Sequence, residues 1–135
     1  MIKRVIRVTI LVRDQDEALR WYTEKLGFKK TADQQFGPGS RWLTVAPKDQ
    51  KELQIVLLKP DVAMHGKKMV QEFTQRIGKG TTWVLEVDNC QKTYQDLTSR
   101  GVKFRGPPER LPYGIEAVFE DLYGNPWDLL EPKQQ

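Results

Sequence analysis

An acidic residue interrupts a hydrophobic segment near the carboxyl end of the chain. In "DLYGNPWDLLEP" (121–132), Asp128 stands between Trp127 and Leu129 and follows a turn-forming sequence. A carboxylate that points into a protein interior is costly unless it is paired, hydrogen-bonded or bound to a metal. Asp128 is therefore a candidate functional residue, because it can attract a cation, ligate a metal or act as a general base.

Other residues with suitable chemistry lie elsewhere in the sequence. Arg7 can hold a carboxylate or an oxyanion, Trp42 can stack on a planar ligand, and Glu86 can attract a cation or accept a proton. The single histidine, His65, is interpreted as an exposed loop residue, with a lid residue that enters a pocket as the alternative. Cys90 lies at a predicted helix N-terminus, which can lower the pKa of a thiol, but a structural role is favoured.

The elements that position these residues occur twice. "VIRVTILV" (5–12) alternates like a strand, Asp14 to Glu17 has the spacing of a capping box, and Gly27 is placed to end the helix that follows. Strands are then predicted at about 28–36, 40–46 and 52–58. "TWVLEVDN" (82–89) begins a second series, with a helix from about 90 to 100 and strands near 102–106, 113–120 and 126–130. The chain thus contains two βαβββ modules.

This repeat predicts the fold and its boundaries. We expect an α+β protein in which two tandem βαβββ modules have curved mixed sheets that form an open barrel-like cavity. The chain is predicted to be a single domain (1–135), with one module at about 1–60, a connection at about 61–80 and the other module at about 81–132. Val70, Phe73 and Ile77 have helical spacing, so a short amphipathic helix is expected in the connection, where flanking glycines would permit a lid.

Strand alternation divides the side chains between two faces. The face under the helices should receive the continuous apolar set: Val8, Ile10, Ile55, Leu57, Trp83, Leu85, Trp127 and Leu129. The opposite, concave face is the predicted ligand pocket, formed by Arg7, Thr9, Trp42, Gln54, Val56, Thr82, Val84, Glu86 and Asp128.

The composition limits the classes of function. Twenty-two Lys and Arg residues against eighteen Asp and Glu give a net charge of +4 without a dense basic run, so no nucleic-acid partner is expected. The single cysteine suits a reducing compartment. The opening "MIKRVIRVTILVRD" lacks the apolar core of a signal peptide, and no segment approaches the length of a membrane span. A cytoplasmic protein without membrane attachment is predicted.

Two long motifs resemble the vicinal oxygen chelate superfamily, which includes glyoxalase I, extradiol dioxygenases and bleomycin-resistance proteins. "VTILVRDQDEALRWYTEKLGF" (8–28) is similar to its opening strand–helix motif, and "EDLYGNPWDLLEP" (120–132) to its closing motif. The resemblance implies a homodimer. In metal-dependent members it also implies a divalent metal that binds two vicinal oxygens of the substrate, with ligands at positions that correspond here to Arg7, Val56, Thr82 and Asp128.

Three of those four residues depart from the His or Glu expected by resemblance. Arginine donates no lone pair, valine has no donor atom, and a threonine with one aspartate makes a poor divalent site. We therefore predict neither a metal nor another cofactor. Asp128 would then pair with Arg7 across the cavity, or be solvated or bonded to Thr82; both arrangements stay open.

The favoured function is metal-independent binding of a small organic or antibiotic-like ligand in the concave cavity, with Trp42 stacking and Glu86, Asp128 and Glu116 attracting a cation. The alternative is a metal-independent enzyme, of isomerase or lyase type, that acts on a small carbonyl or carboxylate compound. A metal-dependent lyase or dioxygenase is disfavoured, since a one-residue shift in strand register would supply only one extra hydroxyl.

Overall fold

The computed structural model describes residues 1–134, which form two compact units. The first unit is Met1–Ile77 and the second begins at Gly78. Each contains one mixed sheet with a helix against it, so the predicted α+β class with tandem modules is confirmed. No helix within residues 1–134 combines the length and the apolar character needed to cross a membrane.

The first unit has a four-stranded sheet. Its elements are β1 (Arg7–Leu11), α1 (Gln15–Glu24), β2 (Lys29–Gln35), β3 (Arg41–Ala46), β4 (Gln54–Leu58), α2 (Val62–His65) and α3 (Lys67–Arg76). The strand order is β1-β4-β3-β2, with β1 parallel to β4 and the other neighbours antiparallel. The four strands and α1 follow the predicted segments closely.

Local chemistry explains why α1 begins and ends where it does. The Asp14 side chain accepts a hydrogen bond of 2.9 Å from the Glu17 amide, which satisfies one of the free donors of the first turn. Gly27 adopts a φ of 73°, which favours glycine after a helix. The buried Gln15 amide group donates to the carbonyls of Arg41 and Leu57, at 3.0 and 2.9 Å. These bonds join α1 to one face of the sheet.

The connection after β4 differs from the single short helix that was predicted. Asp61 caps α2 by accepting from the Ala63 amide at 3.0 Å, and Gly66, with a φ of 80°, separates α2 from α3. Because few residues other than glycine adopt that φ, the chain turns there instead of continuing one helix. Val70 and Phe73 of α3 are partly buried and Ile77, which follows it, is buried.

The second unit has five strands among the described residues. Its elements are β5 (Trp83–Glu86), α4 (Cys90–Ser99), β6 (Lys103–Phe104), β7 (Glu109–Leu111), β8 (Gly114–Glu120) and β9 (Pro126–Pro132). The order is β5-β9-β8-β6, and β7 also pairs with β8. Strand β7 was not predicted, because the prolines on both sides of it indicate loop rather than strand. Thr82, expected within β5, precedes it.

The helix-covered face of the second sheet forms the core of its unit. Trp127, Leu129 and Phe119 are almost fully buried, and the rings of Phe119 and Trp127 are parallel with centroids 6.4 Å apart. Tyr94 of α4 contacts this group through the Phe104 ring, which lies 4.7 Å away. The interpretation of Trp127 as a core residue is confirmed. Because side chains alternate along a strand, Asp128, between Trp127 and Leu129, must point to the other side of the sheet.

Candidate functional site

We call the side of each sheet away from α1 or α4 its open face. On the first sheet, Arg7 is opposite Gln54, and Thr9 is opposite Val56. Val56 is also opposite Thr44 of β3. Directly opposite residues of neighbouring strands point to the same face, so the open face carries these five side chains together. Val56 and Thr44 are buried, whereas Arg7 and Thr9 are exposed.

Arg7 and Trp42 form the most distinctive contact of this open face. The guanidinium carbon of Arg7 lies 5.5 Å from the centroid of the Trp42 ring, within the range of a cation–π interaction. The two residues lie on β1 and β3, on either side of β4, so the long arginine side chain spans one strand. Trp42 is half-buried and Arg7 is exposed. The pair combines an aromatic surface with a cationic group that carries several hydrogen-bond donors.

The open face of the second sheet is acidic. Asp128 is opposite Val84 on one side and Val118 on the other, and Leu130 is opposite both Glu86 and Glu116. Val84, Glu86 and Asp128 therefore share one face, as predicted from strand alternation. Thr82 lies before β5 and is exposed. Glu116, which is partly buried on β8, adds a second carboxyl group near Asp128.

The surroundings of Asp128, including Glu116, raise its pKa. Burial, followed by a hydrogen bond with Glu116 and the negative charge of that residue, raises the pKa of Asp128 from 3.8 to about 7. A hydrogen bond between two carboxyl groups needs a proton on one of them. The hydroxyl of Tyr113 donates to Glu116 Oε1 at 3.0 Å, and this bond raises the pKa of Tyr113. Asp128 Oδ1 is buried and has no hydrogen-bond partner among the described residues.

A cavity of about 200 Å³ lies beside Glu116. Glu116 and Val118 of β8 form one wall, and Arg105, Pro107 and Glu109 form the other. Asp128, whose pKa is raised to about 7, is not part of the lining of this cavity. Arg7 and Asp128 belong to different units, and the ion pair between them stays a prediction.

The positions that the resemblance assigns to metal ligands do not fit a divalent cation. Arg7 and Val56 supply no lone pair, and Asp128 shares its hydrogen bond with Glu116. Within residues 1–134, His, Cys, Asp and Glu side chains form no group of three or more that could hold a metal ion. The residues at these positions therefore lack the donor atoms that a divalent metal site needs.

His65 and Cys90 both have structural surroundings. His65 is the last residue of α2 and is half-buried, so its interpretation as an exposed loop residue was wrong. Its Nδ1 accepts from the Asp61 amide at 3.1 Å, and its ring lies 5.3 Å from that of Phe73. Cys90 is fully buried, and burial together with the charge of Glu131 raises the pKa of its thiol. The favoured structural role of Cys90 agrees with this burial.

Sequence comparison places the chain among known families. A model described as the Glyoxalase/Bleomycin resistance protein/Dioxygenase superfamily matches residues 4–129. The uncharacterized protein YetH of Bacillus subtilis (strain 168) is 34% identical over 131 residues, which are 97% of this chain and 100% of YetH. An uncharacterized protein of Shewanella frigidimarina is 33% identical over 133 residues, 97% of this chain and 95% of that protein.

Solved structures agree with the family match. UcmS2 is 42% identical, with a TM-score of 0.85, over 97% of this chain and 99% of that one. TnmS3 from Streptomyces sp. CB03234, described as an antibiotic binding protein, is 30% identical, with a TM-score of 0.74, over 98% of both chains.

Proposed function

The chain belongs to the Glyoxalase/Bleomycin resistance protein/Dioxygenase superfamily, and we propose that it binds a small, planar, antibiotic-like organic ligand without a metal. The ligand would lie on the open face of the first sheet. Arg7 and Trp42 would make its principal contacts, and Thr9, Gln54 and Val56 would form the rest of the surface.

The contact between Arg7 and Trp42 is the observation that carries this proposal. It places an exposed guanidinium 5.5 Å from an aromatic centroid, at a position where the resemblance expects a metal ligand. A guanidinium can stack on an aromatic ring and still donate hydrogen bonds in its own plane. A flat ligand can therefore lie against the Trp42 ring while one of its oxygen atoms accepts from Arg7. Val56 and Thr44 are almost fully buried on this face, so the ligand would contact mainly the exposed Arg7 and Thr9 and the partly buried Trp42.

A relative with a described ligand class supports the proposal. TnmS3 is described as an antibiotic binding protein, and it is 30% identical to this chain over 98% of its length.

Isothermal titration of the full chain with a panel of planar aromatic antibiotics tests the proposal. The panel should include cationic, neutral and phenolic or carboxylate members, and each titration should be run with and without a chelator. We expect saturable binding of at least one member, unchanged by the chelator and weakened at least tenfold in Trp42→Ala. Trp21→Phe, a change on α1, is the matched control and should bind normally. Binding that disappears with the chelator, or that survives Trp42→Ala, would contradict the proposal.

One observation favours a second candidate, a metal-independent isomerase or lyase acting on a small carbonyl or carboxylate compound. The pKa of Asp128 is raised to about 7, which suits a general base near neutral pH. Turnover of small dicarbonyls or α-keto acids that persists with a chelator and is lost in Asp128→Asn would establish this enzyme. No turnover across such a panel would leave the binding protein as the better account.

A homodimer, a cytoplasmic location and the lack of a nucleic-acid partner also stay predictions. Family resemblance supports the dimer. Light scattering of the full chain distinguishes a dimer from the 15.7 kDa monomer.

A further inference from the structure

A second and larger cavity lies in the second unit, where β7, β8 and the end of β9 are adjacent. Its volume is about 360 Å³, within the range of roughly 300–1,000 Å³ that is typical of small-molecule pockets. The residues that matter for its chemistry are Arg110, Leu111, Ile115, Glu131, Pro132 and Lys133.

Strand register places part of this lining on the helix-covered side of the sheet. Arg110 of β7 is opposite Ile115 of β8, and Ile115 is opposite Glu131 of β9, so the three side chains form a row across the sheet. Ile115 has the same parity along β8 as the buried Ala117 and Phe119. Leu111 and Pro132 are both opposite Gly114 and so have the other parity. The cavity therefore lies at the end of the sheet, where residues of both faces contribute to its lining.

The charge of the lining is unbalanced. Glu131 is already engaged, since its Oε1 accepts from the Cys90 amide at 2.9 Å where α4 begins. Arg110 and Lys133 are exposed, and no carboxylate among the described residues forms an ion pair with either of them. The backbone of Lys133 is held against the β7–β8 turn by a bond of 2.9 Å from its amide to the Tyr113 carbonyl. Two unpaired cations thus flank the cavity.

Apart from Gln134, the remaining lining is apolar. Leu111 and Ile115 are partly buried, and Pro132 adds a third hydrocarbon surface. A mostly apolar cavity with a few charged groups at one side orients a ligand by its polar end and buries its hydrocarbon body. A carboxylate suits this arrangement because arginine can hold it with two parallel hydrogen bonds.

We propose that this cavity is a binding site for a small amphiphilic carboxylate, whose anionic head contacts Arg110 and Lys133 and whose hydrocarbon body packs on Leu111, Ile115 and Pro132. This cavity is separate from the site of the proposed function, which is on the open face of the first sheet. It would bind an anionic group, whereas the acidic open face of the second sheet would attract a cationic one.

Titration of the full chain with 2-naphthoate, followed by calorimetry and amide NMR shifts, tests this site. We expect saturable shifts in 110–115 and 131–133. The affinity of this site is read from these shifts, because a planar carboxylate can also bind at Arg7 and Trp42. The neutral analogue 2-naphthalenemethanol should bind at least tenfold more weakly, because it lacks the charge. Arg110→Gln with Lys133→Gln should weaken naphthoate at least tenfold, while the matched pair Lys48→Gln with Lys51→Gln, in an exposed loop of the first unit, should not.

Further variants distinguish a loss of binding at this site from a loss of binding at Arg7 and Trp42, and from unfolding. Trp42→Ala should leave the naphthoate-induced shifts in 110–115 and 131–133 unchanged, so the two sites can succeed or fail independently. Thermal melts check that the double variant folds. Lys133→Gln alone, at an exposed position, should also weaken naphthoate binding at this site, by a smaller factor than the double variant. No saturation, equal affinity for the neutral analogue, or full binding by the charge-removed variants would overturn the proposal.

Discussion

The two sheets have the same arrangement of strands but opposite chemistry on their open faces. In each, the first strand of the unit runs parallel to the last, so that Thr9 and Val56 in the first sheet correspond to Val84 and Asp128 in the second. Val56 is 4% exposed and is a hydrocarbon, whereas the equivalent Asp128 holds a proton with a pKa of about 7. Equivalent positions have thus become a packing residue in one unit and a titrating residue in the other.

This difference shows that two units with the same arrangement of strands can carry side chains suited to different kinds of ligand. The first open face combines a buried floor with the stacked Arg7 and Trp42, which suits recognition of a flat group. The second carries Glu116 and Asp128 as an interacting carboxyl pair, which suits proton exchange or attraction of a cation. The backbone repeat fixes where the side chains point, and substitutions at a few positions determine what each face binds.

The largest expected effect comes from making the two sheets alike. Val56→Asp would place a carboxyl group at a position that is 4% exposed and has Thr9 and Thr44 as its opposite neighbours. Burying an unpaired carboxyl should lower the free energy of unfolding by about 3 kcal/mol or more. Urea denaturation at pH 8 measures the loss. Val56→Ala, which removes only hydrocarbon, is the control and should cost clearly less; an equal cost for both would show that this position does not discriminate against charge.

The next effect concerns the stacked pair. Arg7→Ala should lower the affinity for the planar ligand identified by titration about tenfold, which is about 1.4 kcal/mol. The change removes both the guanidinium beside Trp42 and its hydrogen-bond donors. Arg7→Lys should recover only part of the affinity, since an ammonium is not planar. Calorimetry of the three proteins is the measurement. Full recovery by lysine would mean that charge alone, rather than the planar contact with Trp42, accounts for the role of Arg7.

The strands and the faces could be predicted because they depend on local periodicity. Alternation placed Trp127 and Leu129 on the covered face and Asp128 on the other, and the structure agrees at these residues. Strand β7 could not be predicted, because its three residues lie between prolines and are defined only by pairing with β8. The break between α2 and α3 depends on one glycine in a longer amphipathic segment.

The partners of the candidate residues were harder to predict than their faces. The contact between Arg7 and Trp42, two strands away in the same sheet, was not predicted from the sequence. The pairing of Arg7 with Asp128, one of two arrangements left open, stays a prediction. Glu116 reaches Asp128 only because β8 and β9 pair in one particular register. A sequence indicates the parity of each strand, whereas such contacts depend on register between strands and on side-chain length.

A smaller effect should appear in the pH dependence of stability. Because folding raises the pKa of Asp128 from 3.8 to about 7, its contribution to stability is fully present below pH 4 and is lost as the pH rises through about 7. Asp128→Asn mimics the protonated group at every pH. Relative to this variant, the wild-type protein should lose about 1–2 kcal/mol between pH 4 and pH 8, a value reduced for solvent screening of a partly exposed group. Chemical denaturation across this range measures the difference, and a constant difference would show that Asp128 does not titrate there.

The smallest expected effect comes from removing the hydrogen bond that Tyr113 donates to Glu116. Tyr113 is more than half exposed, and its hydroxyl donates to Glu116 at 3.0 Å. Water can replace that donor, so Tyr113→Phe should change the free energy of unfolding by only about 0.5 kcal/mol. NMR titration of the Asp128 carboxyl should still give a pKa well above 3.8 in this variant, because burial is the first cause of the shift and Glu116 remains in place. Glu116→Gln is the matched comparison: it removes the charge and should lower the pKa of Asp128 toward the ordinary value. If Tyr113→Phe lowered that pKa as much as Glu116→Gln, the proton would belong to a three-residue network rather than to the carboxyl pair that distinguishes the second sheet from the first.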